Sequence, residues 1–361
     1  MRSNSLVRAC ILSALVVFTW SCNSVNGASG AKNVILFLAD GTGIPTIHAA
    51  SIYGYGKPQQ LFVQNMPHLG FSETSTASSW VTDSAAGMTA IVTGEKTHNG
   101  VVSQAADAVR GEKDGRLLKS ILEYAEERGL SSGVVSNSAV SDATPAACYA
   151  HSNERAKHGY IFAQILEPRF GDGIDVVIGP GRTTILEQTE ELGVDLAAGF
   201  MARGYAFVDN PQAMQEAADE RDRLIALYES DDFDLGVAVN KAIDVLTRNP
   251  KGFFLMVESN NHFRDVEKTL SRLVAMDKVI RQTAERMENT DTLILFTADH
   301  SYDLRIPSAP KVQDVTPHVV IINDHTAEEV LVAGQGPGAE KVKGYFPNTR
   351  LFHIMMEAYG W

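Results

Sequence analysis

Cysteine is nearly absent from this chain. Three occur in 361 residues, and two of them, Cys10 and Cys22, fall in the first 22. Cys148 is then alone in the body of the chain, which excludes an intramolecular disulfide there, and a lone interior cysteine reads as a small buried hydrophobe. Long hydrophobic runs are also scarce. The run that stands out, "ACILSALVVFTW", has about twelve residues and is too short to span a bilayer. Positive charge is in deficit: 31 Lys and Arg face 44 Asp and Glu, a net charge of −13, or −15 without Arg2 and Arg8. Such a surface excludes nucleic acid and anionic membrane as expected partners, although clustered acids could still hold cations. No internal repeat and no low-complexity linker interrupts the chain.

What is present begins with a leader. Arg2 and Arg8, the apolar run and the small residues of "SCNSVNGASG" form a signal-peptide pattern over residues 1–30, with cleavage expected near Ala28 to Gly30. This implies a secreted or periplasmic protein whose residues 31–361 make one domain. Cys22 leaves lipoprotein attachment open as an alternative, although Thr19, Trp20 and Ser21 match a lipobox poorly.

Beyond the leader, strand-length apolar runs alternate with helical patterns, which predicts an α/β fold: a three-layer αβα sandwich around a large, mostly parallel sheet. The clearest runs are "NVILFLAD" (33–40), "SSGVVSNSAV" (131–140), "IDVVIGPG" (174–181), "GFFLMVES" (252–259) and "DTLILFTADH" (291–300). They are continuous rather than alternating, as expected for strands buried on both faces. Helices are expected at 84–93, 116–128, 212–228, 235–248, 265–288 and 350–358, with a further one over "PAACYAHSNER" (145–155). In the fourth, Val239, Ala242, Ile243 and Leu246 share one face and read as core packing. Residues 183–235 read as a peripheral helical excursion.

Polar residues collect where these runs end. The first ends in Asp40, followed by Gly41-Thr42-Gly43; the second leads to Asp142 and Thr144; the fourth ends in Glu258; the fifth ends in Asp299 and His300. Ligand sites in open α/β sheets lie at the carboxyl ends of the strands. Any one of these acids alone would be a turn residue or a cap, but together they repel one another unless cations neutralise them, so a metal cluster is implied. His262, His300 and His325 offer imidazole, which suits zinc, whereas Asp142, Thr144 and Glu258 offer only oxygen, which suits magnesium. Asp40 and Asp299 can serve either kind.

The stretch "VTDSAAGMTA" (81–90) opens the first helix with an acid and a serine. Asp83 and Ser84 both suit an N-cap, and Ser84 also suits a nucleophile held where a helix N-terminus attracts anions. Arg155, eleven residues beyond Thr144, could clamp a tetrahedral oxyanion with two hydrogen bonds or form a surface ion pair. His98 and His151 read as structural or supporting residues, and His318 and His353 as packing residues.

Taken in order, "KNVILFLADGTG", "VTDSAAGMTAIVTGEKTHNG", "DATPAACYAHSNER", "GFFLMVE", "TADH", "HTAEEVLVAGQGPGA" and "GYFPNTRLFHIM" make the chain resemble the bacterial alkaline phosphatases from about Lys32 to Trp361. The resemblance implies hydrolysis of small phosphomonoesters through a phosphoserine on Ser84, with two zinc ions and one magnesium ion. It implies that Asp40 bridges the second zinc and the magnesium, that Asp299 and His300 complete the second zinc site, and that His262 and His325 bind the first. Asp142, Thr144 and Glu258 would hold magnesium, Arg155 the phosphoryl oxygens, and Asp83 would support the nucleophile. A homodimer is common in such a family.

The chain departs from the resemblance at one place. The family carries E-G-x-x-I-D-x-x-x-H after its fourth strand, and here the run is "ESNNHFRD". With His262 on the family's His and Asp277 on a later Asp, about five residues are missing, among them a first-zinc ligand. Asn260 or Asn261 would then be weaker replacements, and Asp265, at i, i+3 from His262, a third candidate. The expectation is a weakened first site and slow release of phosphate from Ser84. A phosphodiesterase or sulfatase of the same superfamily is the alternative enzyme, disfavoured by Asp142, Thr144 and Glu258 and by the lack of a C/S-x-P-x-R run. A non-catalytic binder of phosphate or metal is the third reading.

Overall fold

The computed structural model describes residues 30–361 apart from 309 and 313, so the expected leader, except Gly30, lies outside the described residues. The strands are β1 (Asn33–Asp40), β2 (His68–Glu73), β3 (Ser131–Ser136), β4 (Val176–Pro180), β5 (Ala206–Val208), β6 (Leu224–Tyr228), β7 (Phe253–Asn260), β8 (Thr292–Thr297), β9 (Ser301–Arg305), β10 (Val320–Thr326), β11 (Val330–Gln335) and β12 (Gly344–Pro347). Ten of them form one sheet in the order β12-β2-β11-β8-β1-β7-β3-β4-β6-β5, and β9 and β10 pair in a separate ribbon. The run from β8 through β5 is parallel, and β11 alone runs antiparallel to its neighbours β8 and β2.

The continuous apolar runs are explained by two cores. Along β1, Val34, Leu36 and Leu38 face one helical layer, while Ile35, Phe37 and Ala39 face the other. β7 and β8 alternate in the same way, with Phe254 and Met256 opposed to Leu255 and Val257, and Leu293 and Leu295 opposed to Ile294 and Phe296. Successive strand side chains point to opposite faces, so a strand covered on both sides must be apolar throughout. Burying each such side chain contributes about 1.5–3 kcal/mol. The first layer holds the helices Ser84–Thr93, Ile121–Glu127, Ala143–Tyr149 and Arg350–Tyr359; the second holds Ile44–Tyr55, Leu235–Leu246 and Val266–Arg286. The expected stripe of Val239, Ala242, Ile243 and Leu246 is buried in the second core. Asp277 is structural: its carboxylate accepts from the backbone N–H groups of Phe62 and Val63, at 2.9 and 3.0 Å.

Two expectations are corrected. Residues 183–235 are not a helical excursion, because they contribute β5 and β6 to the main sheet, and the expected helix 212–228 ends at Glu220. Arg221 is extended, and "LIALY" then pairs with β4 on one side and β5 on the other; sheet pairing outweighs the helical preference of Leu and Ala. The helix expected over 145–155 runs instead from Ala143 to Tyr149. Beyond it, Ser152 exchanges both backbone hydrogen bonds with Val102, and the Arg155 N–H donates to the Gly100 carbonyl at 2.9 Å. Arg155 is therefore placed by the segment after "KTHNG", not by a helix.

Candidate active site

The parallel register sets the acids in a row. Asp40 lies opposite Asn260 across β1 and β7, and Leu38 lies opposite both Glu258 and Thr297. Asp299, two residues past Thr297, therefore extends to the level of Asp40. Ser136 pairs with Glu258 across β3 and β7, and its hydroxyl donates to the Glu258 carboxylate. The ribbon then folds His325 in, because β10 pairs His325 with Tyr302, two residues beyond His300. The sequence pass missed this ribbon, and with it Tyr302, whose ring stacks 5.7 Å from that of His262.

The result is a compact nest of donors. One ligand atom each from His262, His300 and His325 lies within 4.8 Å of the others, as does one each from Asp40, Asp299 and His300. Asp40 Oδ1 is 3.2 Å from His262 Nδ1 and 3.2 Å from His300 Nε2. The rings of His300 and His325 stack with centroids 3.6 Å apart. His300 Nδ1 donates to the Ser301 carbonyl at 3.0 Å and His325 Nδ1 to the Thr82 carbonyl at 2.9 Å, which leaves each Nε2 as the free nitrogen. Asp299 Oδ1 accepts from the N–H groups of Gly41 and His300, whereas Asp299 Oδ2 is buried with no hydrogen-bond partner and His262 Nδ1 faces Asp40 Oδ1.

The charges are mutually strained. Burial and the charge of Asp40 lift Glu258 well above the usual carboxylate range and raise Asp299 to about 6. Burial works against a charge on His300, but Asp299 and Asp40 outweigh it and lift that ring to about 9. Burial also opposes a charge on Asp40, which His262 and His300 nonetheless hold well below its ordinary value. Such a set holds either protons or cations, and a buried carboxylate oxygen without a partner, Asp299 Oδ2, fits metal ions.

Ser84 stands at the edge of this nest. Asp83 is the N-cap, accepting from the Ala86 N–H at 3.0 Å, and Ser84 is the first helical residue. Its Oγ is buried, 3.5 Å from Asp40 Oδ1 and 3.4 Å from His300 Nε2. Asp83 is a hub as well as a cap, since its other oxygen accepts from the Gly100 N–H at 2.8 Å and from Arg155 Nη1 at 3.1 Å. Arg155 Nη2 donates to Asp142 Oδ1 at 2.7 Å, so the guanidinium is held between two carboxylates with 24% of its side-chain surface exposed. Burial weakens its charge, and Asp142 and Asp83 more than restore it. Thr144 is buried in the first turn of the helix that Asp142 caps. Gly87 completes the packing: a Cβ there would meet the Asp299 carbonyl at 2.8 Å.

The alternatives for the missing carboxylate are narrowed. Asp265 is not on a helix with His262; it is the N-cap, accepting from Lys268 N–H at 3.0 Å. Asn261 is fully buried, accepting from Ser259 Oγ and donating to Thr42 Oγ1, and Asn260 Oδ1 accepts from the His262 N–H. Asp324, which the sequence reading passed over, comes within 3.6 Å of His325 Nε2, but its side chain is 74% exposed. Of the other histidines, His98 bridges Ser78 and the Ala106 carbonyl, and His151 is buried against the Leu118 carbonyl. His353 does not pack into the core as expected: it is exposed on its helix. Cys148 is buried, as expected. A crevice of 710 Å³ between Tyr53, Phe233 and Val274 opens elsewhere, and none of the ten candidate residues lines it. Among the described residues, no helix is long and apolar enough to cross a membrane.

Comparison with known proteins agrees with this architecture. Residues 31–318 match the alkaline phosphatase family. The alkaline phosphatase of Gadus morhua is 29% identical over 380 residues, covering 88% of this chain and 80% of that protein. That of Escherichia coli is 27% identical over 417 residues, covering 91% and 86%. Among solved structures, the alkaline phosphatase of the Antarctic bacterium TAB5 superposes with a TM-score of 0.80 at 24% identity, covering 92% of this chain and 99% of that one. With its strand-end acids, helix-borne serine and ribbon histidine on a sheet of this order, the chain belongs to the alkaline phosphatase family.

Proposed function

We propose that this chain is an extracytoplasmic, metal-dependent phosphomonoesterase that works through a phosphoserine on Ser84. The observation that carries the proposal is the position of Ser84 Oγ: buried at a helix N-terminus, within 3.5 Å of both Asp40 and His300, beside a nest of histidine and aspartate donor atoms. The helix N-terminus favours an incoming anion.

Two donor groups, His262 with His300 and His325 and Asp40 with Asp299 and His300, support a division among the cations. Asp299 and His300 would hold one zinc ion, His262 and His325 another, and Asp142, Thr144 and Glu258 magnesium, with Asp40 shared. Bound there, these cations supply charge stabilisation for the serine oxygen, the leaving group and the attacking water. The chain's own residues do the rest. Asp83 fixes both the helix that bears Ser84 and the guanidinium of Arg155, so nucleophile and clamp keep one mutual geometry. Arg155 has further N–H groups to donate to two phosphoryl oxygens while still held by Asp83 and Asp142. Attack by Ser84 Oγ on phosphorus forms one P–O bond as the ester P–O bond breaks and the alcohol leaves. Ser84 gives its proton up to solvent and the departing oxygen takes one from solvent, so the alcohol leaves neutral. Water then displaces Ser84 and yields inorganic phosphate.

With one carboxylate fewer before His262 than the family carries, the second half of the cycle is the slower one. The test follows nitrophenol release from p-nitrophenyl phosphate before the steady state, with zinc and magnesium present and Ser84→Ala alongside. A burst of one nitrophenol per chain, then slow turnover, both lost in Ser84→Ala, is the expected result. Full turnover by Ser84→Ala would overturn the assignment of the nucleophile, and silence of the metal-loaded wild type would favour the non-catalytic binder.

A further inference from the structure

Asp40 Oδ1 is 3.2 Å from His262 Nδ1 and 3.2 Å from His300 Nε2, one carboxylate oxygen placed between a histidine of each zinc pair. We infer that Asp40 is the shared carboxylate of the two histidine sites, bridging the cation held by His262 and His325 to that held by Asp299 and His300. It would thereby replace the acid missing from the first of them. This inference rests on the metal-dependent reading above and changes what Asp40 does within it: the resemblance ties Asp40 to the second zinc and the magnesium.

Three features of this chain build the contact. The first is backbone pairing: the Asn261 N–H donates to the Asp40 carbonyl at 3.2 Å, so the shortened segment "ESNNH" stays on β1 one residue beyond the strand and delivers His262 directly beside Asp40. The second is Gly41, at φ +66, where a Cβ would stand 2.4 Å from His262 Nδ1; only glycine lets the imidazole lie over this turn. The third is the shortage of other donors. Asn260, Asn261 and Asp265 are engaged elsewhere, and Asp324 is mostly in solvent. His262 Nδ1 therefore has the buried Asp40 carboxylate, at 3.2 Å, to share a cation with. Asp40 has two oxygens, and one carboxylate can serve two cations.

The inference separates two patterns of metal loss. Asp40→Asn, Asp324→Asn and wild type are titrated with zinc against a competing chelator, with metal content read by mass spectrometry. A bridge predicts that Asp40→Asn weakens both zinc positions by about tenfold or more, and that Asp324→Asn is unchanged. The inference is overturned if Asp40→Asn keeps one zinc at wild-type affinity, or if Asp324→Asn is the variant that loses the first zinc. Should Asp40→Asn fail to fold, wild type loaded with cobalt(II) decides by electron paramagnetic resonance. A spin-coupled pair supports the bridge, and two independent high-spin signals refute it. Wild type that takes up no zinc would instead remove the functional reading itself.

Discussion

Replacing Glu126 by Gln should abolish a large part of the pH dependence of stability, although Glu126 takes no part in the candidate site. Its carboxyl is buried in the layer beneath β3, where Oε1 accepts from Ser132 Oγ at 2.5 Å and Oε2 from the Gly173 N–H at 3.1 Å. Burial is the main cause that pushes its pKa from 4.5 to about 8, and the nearby charges of Asp175 and Asp172 add to it. Below pH 4.5 folded and unfolded chains both carry the proton. Between 4.5 and about 8 the unfolded chain has released it while the folded chain retains it, so stability falls as the pH rises. Above about 8 the loss is complete. The gap between the two values corresponds to about 5 kcal/mol. A Gln keeps an acceptor for Gly173 and a donor for Ser132 but cannot ionise. Urea unfolding of the metal-free proteins at pH 4.5 and 8.5 measures the effect. The variant should be within about 1 kcal/mol of wild type at pH 4.5 and more stable by about 4–5 kcal/mol at pH 8.5. Asp175, raised to about 6 chiefly by burial, titrates in both proteins and largely cancels in the comparison. Parallel pH profiles for the two proteins would show that the carboxyl is ionised in the fold and refute the reasoning.

Arg155→Lys keeps the charge but loses the fork that spans Asp83 and Asp142, so kcat/KM for p-nitrophenyl phosphate should fall by about 10–100-fold and inorganic phosphate should inhibit more weakly. Gly41→Ala places a side chain in the left-handed region and against His262; calorimetry should record a loss of about 1–2 kcal/mol from the backbone alone, and zinc titration a weakened first site. Cys148, whose thiol burial pushes far up, should be silent toward Ellman's reagent in the native protein and react with one equivalent after unfolding of the leaderless chain.

What could be read from the sequence follows from what each feature depends on. β1, β7 and β8 are legible because burial on both faces leaves an unbroken apolar run, and the acids at their ends stand out by contrast. Ser84 is legible because the cap, the small helix formers and the glycine at position 87 are all local. β6 is not, because "LIALY" is compatible with either state and only pairing to β4 and β5 decides it. The ribbon is not, because "SYDLR" and "VIINDHT" are short and mixed in polarity; yet it delivers His325 and Tyr302. Arg155 is legible as a residue but not as a placement, since its position comes from Val102 and Gly100, more than fifty residues earlier.

Asp40 is the most instructive residue in this respect. Its identity as a strand-end acid is plain, but its partner depends on three separated facts: the β1–β7 register, a glycine directly after it, and the length of the segment between Glu258 and His262. Each fact is unremarked alone. Together they place one carboxylate oxygen between His262 and His300, and under the inference above a segment that reads as a deletion of a ligand becomes a means of bringing His262 to a carboxylate already present. Shortening a loop in such a site can therefore move a ligand's role to a neighbour instead of abolishing it.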